Sequence, residues 1–99
     1  MKNWFKEDYK FKVTVVSVGP NGKPECCRNG HEVGDIFTCE YGCPGGFCPT
    51  SMMVLFPLME AVRSGGELSY LLMGASKHTG EFKCPDGVVK FRLEAFKNV

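Results

Sequence analysis

Apolar and polar side chains alternate along the chain from residue 9 onward, before a turn that is rich in proline and glycine at 19–24. The apolar positions are Tyr9, Phe11, Val13 and Val15. Alternation with a period of two is typical of a strand with one buried face. A shorter run at 36–40 has the same character, so the first 40 residues predict two strands.

The segment Met52 to Val62 is strongly apolar and has the spacing of a helix. Its core-facing positions are Met52, Leu55, Phe56, Met59 and Val62. Thr50 or Ser51 can cap the first turn, and Pro57 removes a hydrogen bond and should bend the helix. Most other positions are also apolar, which predicts a homo-oligomer formed through this helix.

Two further strand-like runs, at 81–84 and 88–96, flank the turn Pro85-Asp86-Gly87 and predict a β-hairpin. The order of elements is therefore β-β-α-β-β. We predict an α+β fold with a mainly antiparallel sheet, packed on one principal helix that is kinked by Pro57. A length of 99 residues is consistent with a single domain over 1–99.

Composition excludes several classes of function. The formal net charge is +1, which disfavours nucleic-acid binding because that requires clustered positive charge. The longest apolar segment is too short to cross a membrane, and the first eight residues contain no apolar run typical of a secretory signal. We therefore expect a cytoplasmic protein, in which the 6 cysteines serve as metal ligands, reactive thiols or buried residues.

The strongest candidate for chemistry is a metal site formed by Cys27, His31, Cys48 and Cys84. Each of these residues lies in or beside a predicted tight turn, where backbone amides and side chains can point towards one place. Three thiolates and one imidazole form a normal tetrahedral zinc site. The first two ligands have the spacing of a knuckle, whereas the other two are isolated in sequence. We predict zinc as the metal.

Other interpretations of the cysteines stay open. Cys39, Cys43 and Cys48 could bind an iron–sulfur cluster, although their spacing matches neither ferredoxin pattern. Alternatively, Cys48 is a reactive thiol activated by the helix N-terminus, with His31 as its general base. The adjacent pair Cys26 and Cys27 could form a disulfide only with strain. A domain that binds an unidentified small molecule or assembles without cysteine chemistry is a further alternative.

Four elements of the sequence carry a resemblance to a known family: Cys27…Gly30-His31-x-Val33-Gly34-Asp35, Cys48-Pro49, Gly65-Gly66-Glu67 and Cys84-Pro85-Asp86. The chain resembles a family of small proteins of about this length from anaerobic bacteria and archaea. The resemblance implies a cytoplasmic protein of an anaerobe and implies no reaction. The chain departs from the pattern in lacking a proline just after Cys27, and Cys26, Cys39 and Cys43 are not part of it.

Overall fold

The computed structural model describes residues 6–19 and 27–98. These residues form a four-stranded antiparallel sheet with one principal helix packed on one face. The elements are β1 (Tyr9–Val18), β2 (Ile36–Cys39), α1 (Pro49–Arg63), a 3-10 helix (Leu68–Tyr70), β3 (Thr79–Lys83) and β4 (Val89–Lys97). The strand order across the sheet is β2-β1-β4-β3. The predicted α+β fold with the order β-β-α-β-β is confirmed.

Strand β1 is central to the sheet and buries the predicted face. Phe11, Val13 and Val15 are fully covered, whereas Tyr9 at the start of the strand is half-buried. The alternation then changes, because the register with β4 shifts between Val15 and Ser17. Simple alternation would place Ser17 in the core. Because of this irregularity, Val18 faces the core and Ser17 is exposed.

Helix α1 begins earlier than its apolar pattern indicated, at Pro49, with Cys48 as the N-cap residue and without a capping side chain. Proline suits the first helical position because its fixed φ angle matches the helix and its missing N–H would have no partner there. Neither Thr50 nor Ser51 therefore acts as the predicted cap. The buried face consists of Ser51, Leu55, Leu58, Met59 and Val62.

The C-terminal hairpin places Cys84 beside the start of β4. The amide of Cys84 donates to the carbonyl oxygen of Val89 at 2.9 Å, and the amide of Gly87 donates to the carbonyl oxygen of Cys84 at 2.8 Å. Gly87 has a φ of 78°, which glycine adopts without strain. The predicted Pro85-Asp86-Gly87 turn thus fixes Cys84 at the end of the sheet. Within the described residues, no helix is long and apolar enough to cross a membrane.

Candidate functional site

One small pocket between the N-terminus of α1 and the β3–β4 turn contains three cysteines. Cys27, Cys48 and Cys84 line it, together with Arg28, Thr50, Ser51, Asp86 and two valines of the hairpin. We call it the thiol pocket. Its cavity volume is about 30 Å³, which leaves room for about two water-sized groups. Three of the four predicted metal ligands, drawn from distant parts of the sequence, thus meet at one place.

Cys48 lies at the N-terminus of α1, where unpaired backbone amides favour negative charge. Its Sγ is 3.1 Å from the Thr50 hydroxyl oxygen. Partial burial raises the pKa of the Cys48 thiol, but hydrogen bonds from the Thr50 hydroxyl and the backbone amides of Ser51 and Thr50 outweigh it. The net effect lowers the pKa of Cys48 below its ordinary value of 9.0. The Cys48 thiol therefore ionises more readily than an ordinary cysteine.

Ser51 supplies an unused polar group to the same pocket. The residue is fully buried, and its Oγ has no hydrogen-bond partner of good geometry among the described residues. The hydroxyl still lies close enough to Cys48 to help lower the pKa of its thiol. A buried hydroxyl without a full hydrogen bond carries a desolvation cost that a ligand in the pocket could remove.

Cys84 has the opposite environment. Its S–H donates to Asp86 Oδ1 at 2.6 Å, and its sulfur accepts the backbone N–H of Val89 at 3.2 Å. Burial raises the pKa of the Cys84 thiol, and the hydrogen bond to the Asp86 carboxylate raises it further, although backbone amides of the hairpin oppose the shift. The pKa of Asp86 itself is lowered, chiefly because its carboxylate accepts the hydrogen bond from the Cys84 S–H. Cys84 is therefore held as a neutral thiol next to a carboxylate.

Cys27 completes the set from the turn that precedes β2. The amide of Gly30 donates to the Cys27 carbonyl oxygen at 3.0 Å, and Gly30 has a φ of 71°. A tight turn over residues 27–30 therefore holds Cys27. Cys27 is half-buried and packs against the core, while the exposed Arg28 lies on the rim and contributes to the lowered pKa of Asp86.

His31 has a different environment from the three cysteines and is not among the residues that line the thiol pocket. Its side chain is 3% exposed, and its ring centroid lies 5.0 Å from Phe37, 5.8 Å from Phe47 and 5.9 Å from Phe91. Burial lowers the pKa of His31, and the charge of Asp35 opposes this only in part. The imidazole is therefore neutral and packs with aromatic rings.

Cys39 and Cys43 also lie away from the pocket. Cys39 Sγ contacts Met59 Sδ at 3.6 Å, and burial raises the pKa of its thiol despite the nearby charge of Arg63. Cys43 is exposed, and its Sγ donates to the Pro44 carbonyl oxygen at 3.4 Å. Only Cys48 of the predicted iron–sulfur set lines the thiol pocket. Cys26, the other member of the adjacent pair, lies outside the described residues.

In residues 6–19 and 27–98, no three His, Cys, Asp or Glu side chains form a group that could hold a metal ion as they are placed. The three thiols share the pocket, but they do not form a ready ligand set. Thr50 and Ser51, which the sequence suggested only as helix caps, and Asp86, which it suggested as a turn residue, line the pocket beside the thiols. The short spacings Cys48-x-Thr50 and Cys84-x-Asp86 were the available signals.

No family model, curated protein or solved structure matches the chain. The resemblance in the cysteine-containing elements therefore stays a prediction.

Proposed function

We propose that the protein acts through the thiols of the thiol pocket, as a thiol-dependent enzyme or redox protein with Cys48 as its reactive group. The observation that supports this proposal best is the difference between two thiols of one pocket. The pKa of the Cys48 thiol is lowered at a helix N-terminus, whereas the pKa of the Cys84 thiol, which donates to Asp86, is raised. Two thiols of one pocket whose pKa values shift in opposite directions are typical of a site in which one of them is the reactive nucleophile.

Alkylation with iodoacetamide in the absence of oxygen tests this proposal. Cys43 is exposed and Cys48 is half-buried, so access alone predicts that Cys43 reacts first. The thiolate is the nucleophile, so the proposal predicts that Cys48 reacts faster than Cys43 at neutral pH. Peptide mapping by mass spectrometry after short exposure assigns the modified residue.

Two replacements serve as a matched pair for this measurement. Cys48→Ser should abolish the fast phase of alkylation and leave the melting temperature nearly unchanged, because serine has a similar size and Cys48 is not in the core. Cys43→Ser should retain the fast phase. Fast labelling that survives Cys48→Ser would refute the assignment of Cys48.

Zinc binding is the second candidate function, and the convergence of Cys27, Cys48 and Cys84 on one pocket favours it. Three thiolates suit zinc, with Asp86, His31 or water as the fourth ligand. In this case the thiols must move together when the metal binds, and His31 could join only by leaving the aromatic rings around it. An iron–sulfur cluster has less support, since Cys39 and Cys43 do not line the pocket.

Elemental analysis and an absorption spectrum separate these candidates, on protein purified without oxygen and without added metal. The zinc proposal predicts one zinc per chain and no visible colour, and predicts that Cys27→Ser, Cys48→Ser and Cys84→Ser each lower both metal content and melting temperature. Protein without metal that still shows fast alkylation at Cys48 would favour the thiol proposal. Broad visible absorption with iron would instead favour a cluster.

We further propose a cytoplasmic location, because free thiols persist in a reducing compartment. Five cysteines among the described residues are free: Cys27, Cys39, Cys43, Cys48 and Cys84. Labelling of thiols in intact cells with reagents that do and do not cross the membrane would test this location.

A further inference from the structure

We propose that Cys84 is the resolving thiol of Cys48, and that together they reduce a small hydroperoxide and form a Cys48–Cys84 disulfide. This inference rests on the proposed function of Cys48 as the reactive thiol. It adds the second thiol, the class of oxidant and the group that accepts the proton from Cys84.

The geometry around Cys84 favours it as the second thiol. Cys84 lines the same pocket of about 30 Å³ as Cys48, so both thiols border one small cavity. Its proton already points to Asp86 Oδ1 at 2.6 Å, and Asp86 is kept in place by the backbone N–H of Val88 at 3.1 Å. A carboxylate at hydrogen-bond distance can take this proton when the sulfur attacks.

The size and polarity of the thiol pocket indicate the oxidant. A cavity with room for about two water-sized groups fits the two oxygen atoms of a peroxide and is too small to enclose a bulky disulfide. The Ser51 hydroxyl, which is fully buried and lacks a full hydrogen bond, can donate to a peroxide oxygen at the pocket wall. Amides at the N-terminus of α1 stabilise the negative charge that develops on the departing oxygen.

The reaction balances in two steps. In the first, the Cys48 thiolate attacks one peroxide oxygen, the O–O bond breaks, and the departing oxygen takes a proton from solvent to give an alcohol or water. Cys48 is then a sulfenic acid. In the second, Asp86 accepts the Cys84 proton, Cys84 attacks the Cys48 sulfur, and the S–O bond breaks. The departing hydroxide takes the proton from Asp86 and leaves as water. A dithiol reductant restores both thiols.

Oxidation with one equivalent of hydrogen peroxide, quenched at short times, tests this inference. We expect the wild-type protein to lose two thiols per chain and mapping to find a Cys48–Cys84 disulfide. In Cys84→Ser, Cys48 should stop at the sulfenic acid, which dimedone traps. Cys43→Ser, which changes an exposed cysteine outside the pocket, should form the disulfide at the wild-type rate. A bulky hydroperoxide such as cumene hydroperoxide should react much more slowly than hydrogen peroxide.

Asp86→Asn tests the role of the carboxylate without removing the hydrogen-bond acceptor. Disulfide closure should slow by about a hundredfold at neutral pH, at the low end of what a general base contributes, because the loss of the base outweighs the lower pKa that Cys84 has without the carboxylate charge. The loss should shrink at alkaline pH, where the Cys84 thiol ionises without a base. An unchanged rate of closure across this pH range would refute the role of Asp86 as the base.

The outcomes also separate this inference from the proposed function. If Cys48 is alkylated rapidly but its disulfide joins another cysteine, or closes as fast in Cys84→Ser, then the resolving role of Cys84 is refuted while the reactive thiol stands. If Cys48 reacts with hydrogen peroxide no faster than the exposed Cys43, the peroxide assignment is refuted. If Cys48 also fails the alkylation test, both proposals are refuted together.

Discussion

At the scale of single residues, the Thr50 hydroxyl is expected to control the reactivity of Cys48. It lies 3.1 Å from Cys48 Sγ and is the largest contribution that lowers the pKa of that thiol. Thr50→Val keeps the shape and the backbone amide but removes the hydroxyl. We expect the pH of half-maximal alkylation at Cys48 to rise.

A matched control for this change is Thr38→Val, which removes an exposed hydroxyl from β2, outside the thiol pocket. This variant should give the wild-type pH profile. If Thr50→Val leaves the profile unchanged as well, the Thr50 hydroxyl does not control the pKa of Cys48, and the backbone amides and the Ser51 hydroxyl remain as the groups that lower it.

A second prediction concerns His31 and acid stability. Its folded-state pKa is lowered below 6.5 because burial disfavours the charged imidazole. The unfolded chain therefore binds a proton more readily, and the free energy of unfolding should fall as the pH drops below about 6.5. His31→Phe, which keeps a ring among its aromatic neighbours, should flatten this dependence in urea unfolding at several pH values.

His78→Gln provides the comparison, since His78 is half-buried beside Tyr9 at the other end of the described sheet. The effect of His31→Phe on the slope of stability against pH is measured against the slope of this variant and of the wild-type protein. An equal slope in wild-type protein and His31→Phe would mean that other groups dominate the acid sensitivity.

The turns in the sequence were sufficient to predict that three cysteines lie near one another, because Cys27, Cys48 and Cys84 each adjoin a turn or a helix terminus. The orientation of the His31 side chain could not be predicted from its place beside a turn. Its ring packs with Phe37, Phe47 and Phe91, which come from separate segments and meet only in the folded chain. The spacing of a metal knuckle is a local property, whereas this packing is tertiary.

At the scale of elements, the C-terminus of α1 depends on two glycines. The amide of Gly65 donates to the Val62 carbonyl oxygen at 3.0 Å, and that of Gly66 donates to the Ala61 carbonyl oxygen at 2.8 Å. With a φ of 90° at Gly65, this is a Schellman motif. A Cβ atom on Gly66 would lie only 2.8 Å from the Ala61 carbonyl oxygen.

We expect Gly66→Ala to reduce the free energy of unfolding by about 2 kcal/mol, because the backbone carbonyl that it meets cannot move without breaking the motif. Gly45→Ala is the matched control, since a Cβ atom there would meet nothing within 4 Å. Urea denaturation of both variants measures the difference. Equal stability of the two would show that the end of α1 relaxes freely.

Strands and helices with a regular pattern of buried residues could be predicted from the sequence. Irregularities within them, such as a register shift or the exact first residue of a helix, could not. The alternation along β1 identified its buried face, but only pairing with β4 reveals the shift between Val15 and Ser17. In α1 the apolar pattern identified the helix, yet the start at Pro49 depends on the φ angle of one proline. The register shift in β1 and the first residue of α1 therefore depend on strand pairing and backbone geometry, which the periodicity of apolar residues does not contain.

At the scale of the whole molecule, helix α1 leaves a small apolar patch uncovered. Met53 is 75% exposed and Tyr41 is 65% exposed, while the half-buried Phe56 contacts the ring of Tyr41 at 6.1 Å between centroids. Pro57, one turn beyond Met53, is also exposed. Burying such side chains in a second copy would contribute about 25 cal/mol per Å² of apolar surface, which is the physical basis of the predicted homo-oligomer.

Sedimentation velocity over a range of concentrations tests this prediction under reducing conditions, which exclude intermolecular disulfides. We expect a concentration-dependent oligomer that Met53→Lys dissociates, because a lysine in the patch would lose its hydration in the interface. Met73→Lys is the control, since Met73 is fully exposed but lies beyond the helix, after the 3-10 helix. A wild-type protein that stays monomeric at the highest concentration would refute the oligomer, and the patch would then be ordinary exposed surface.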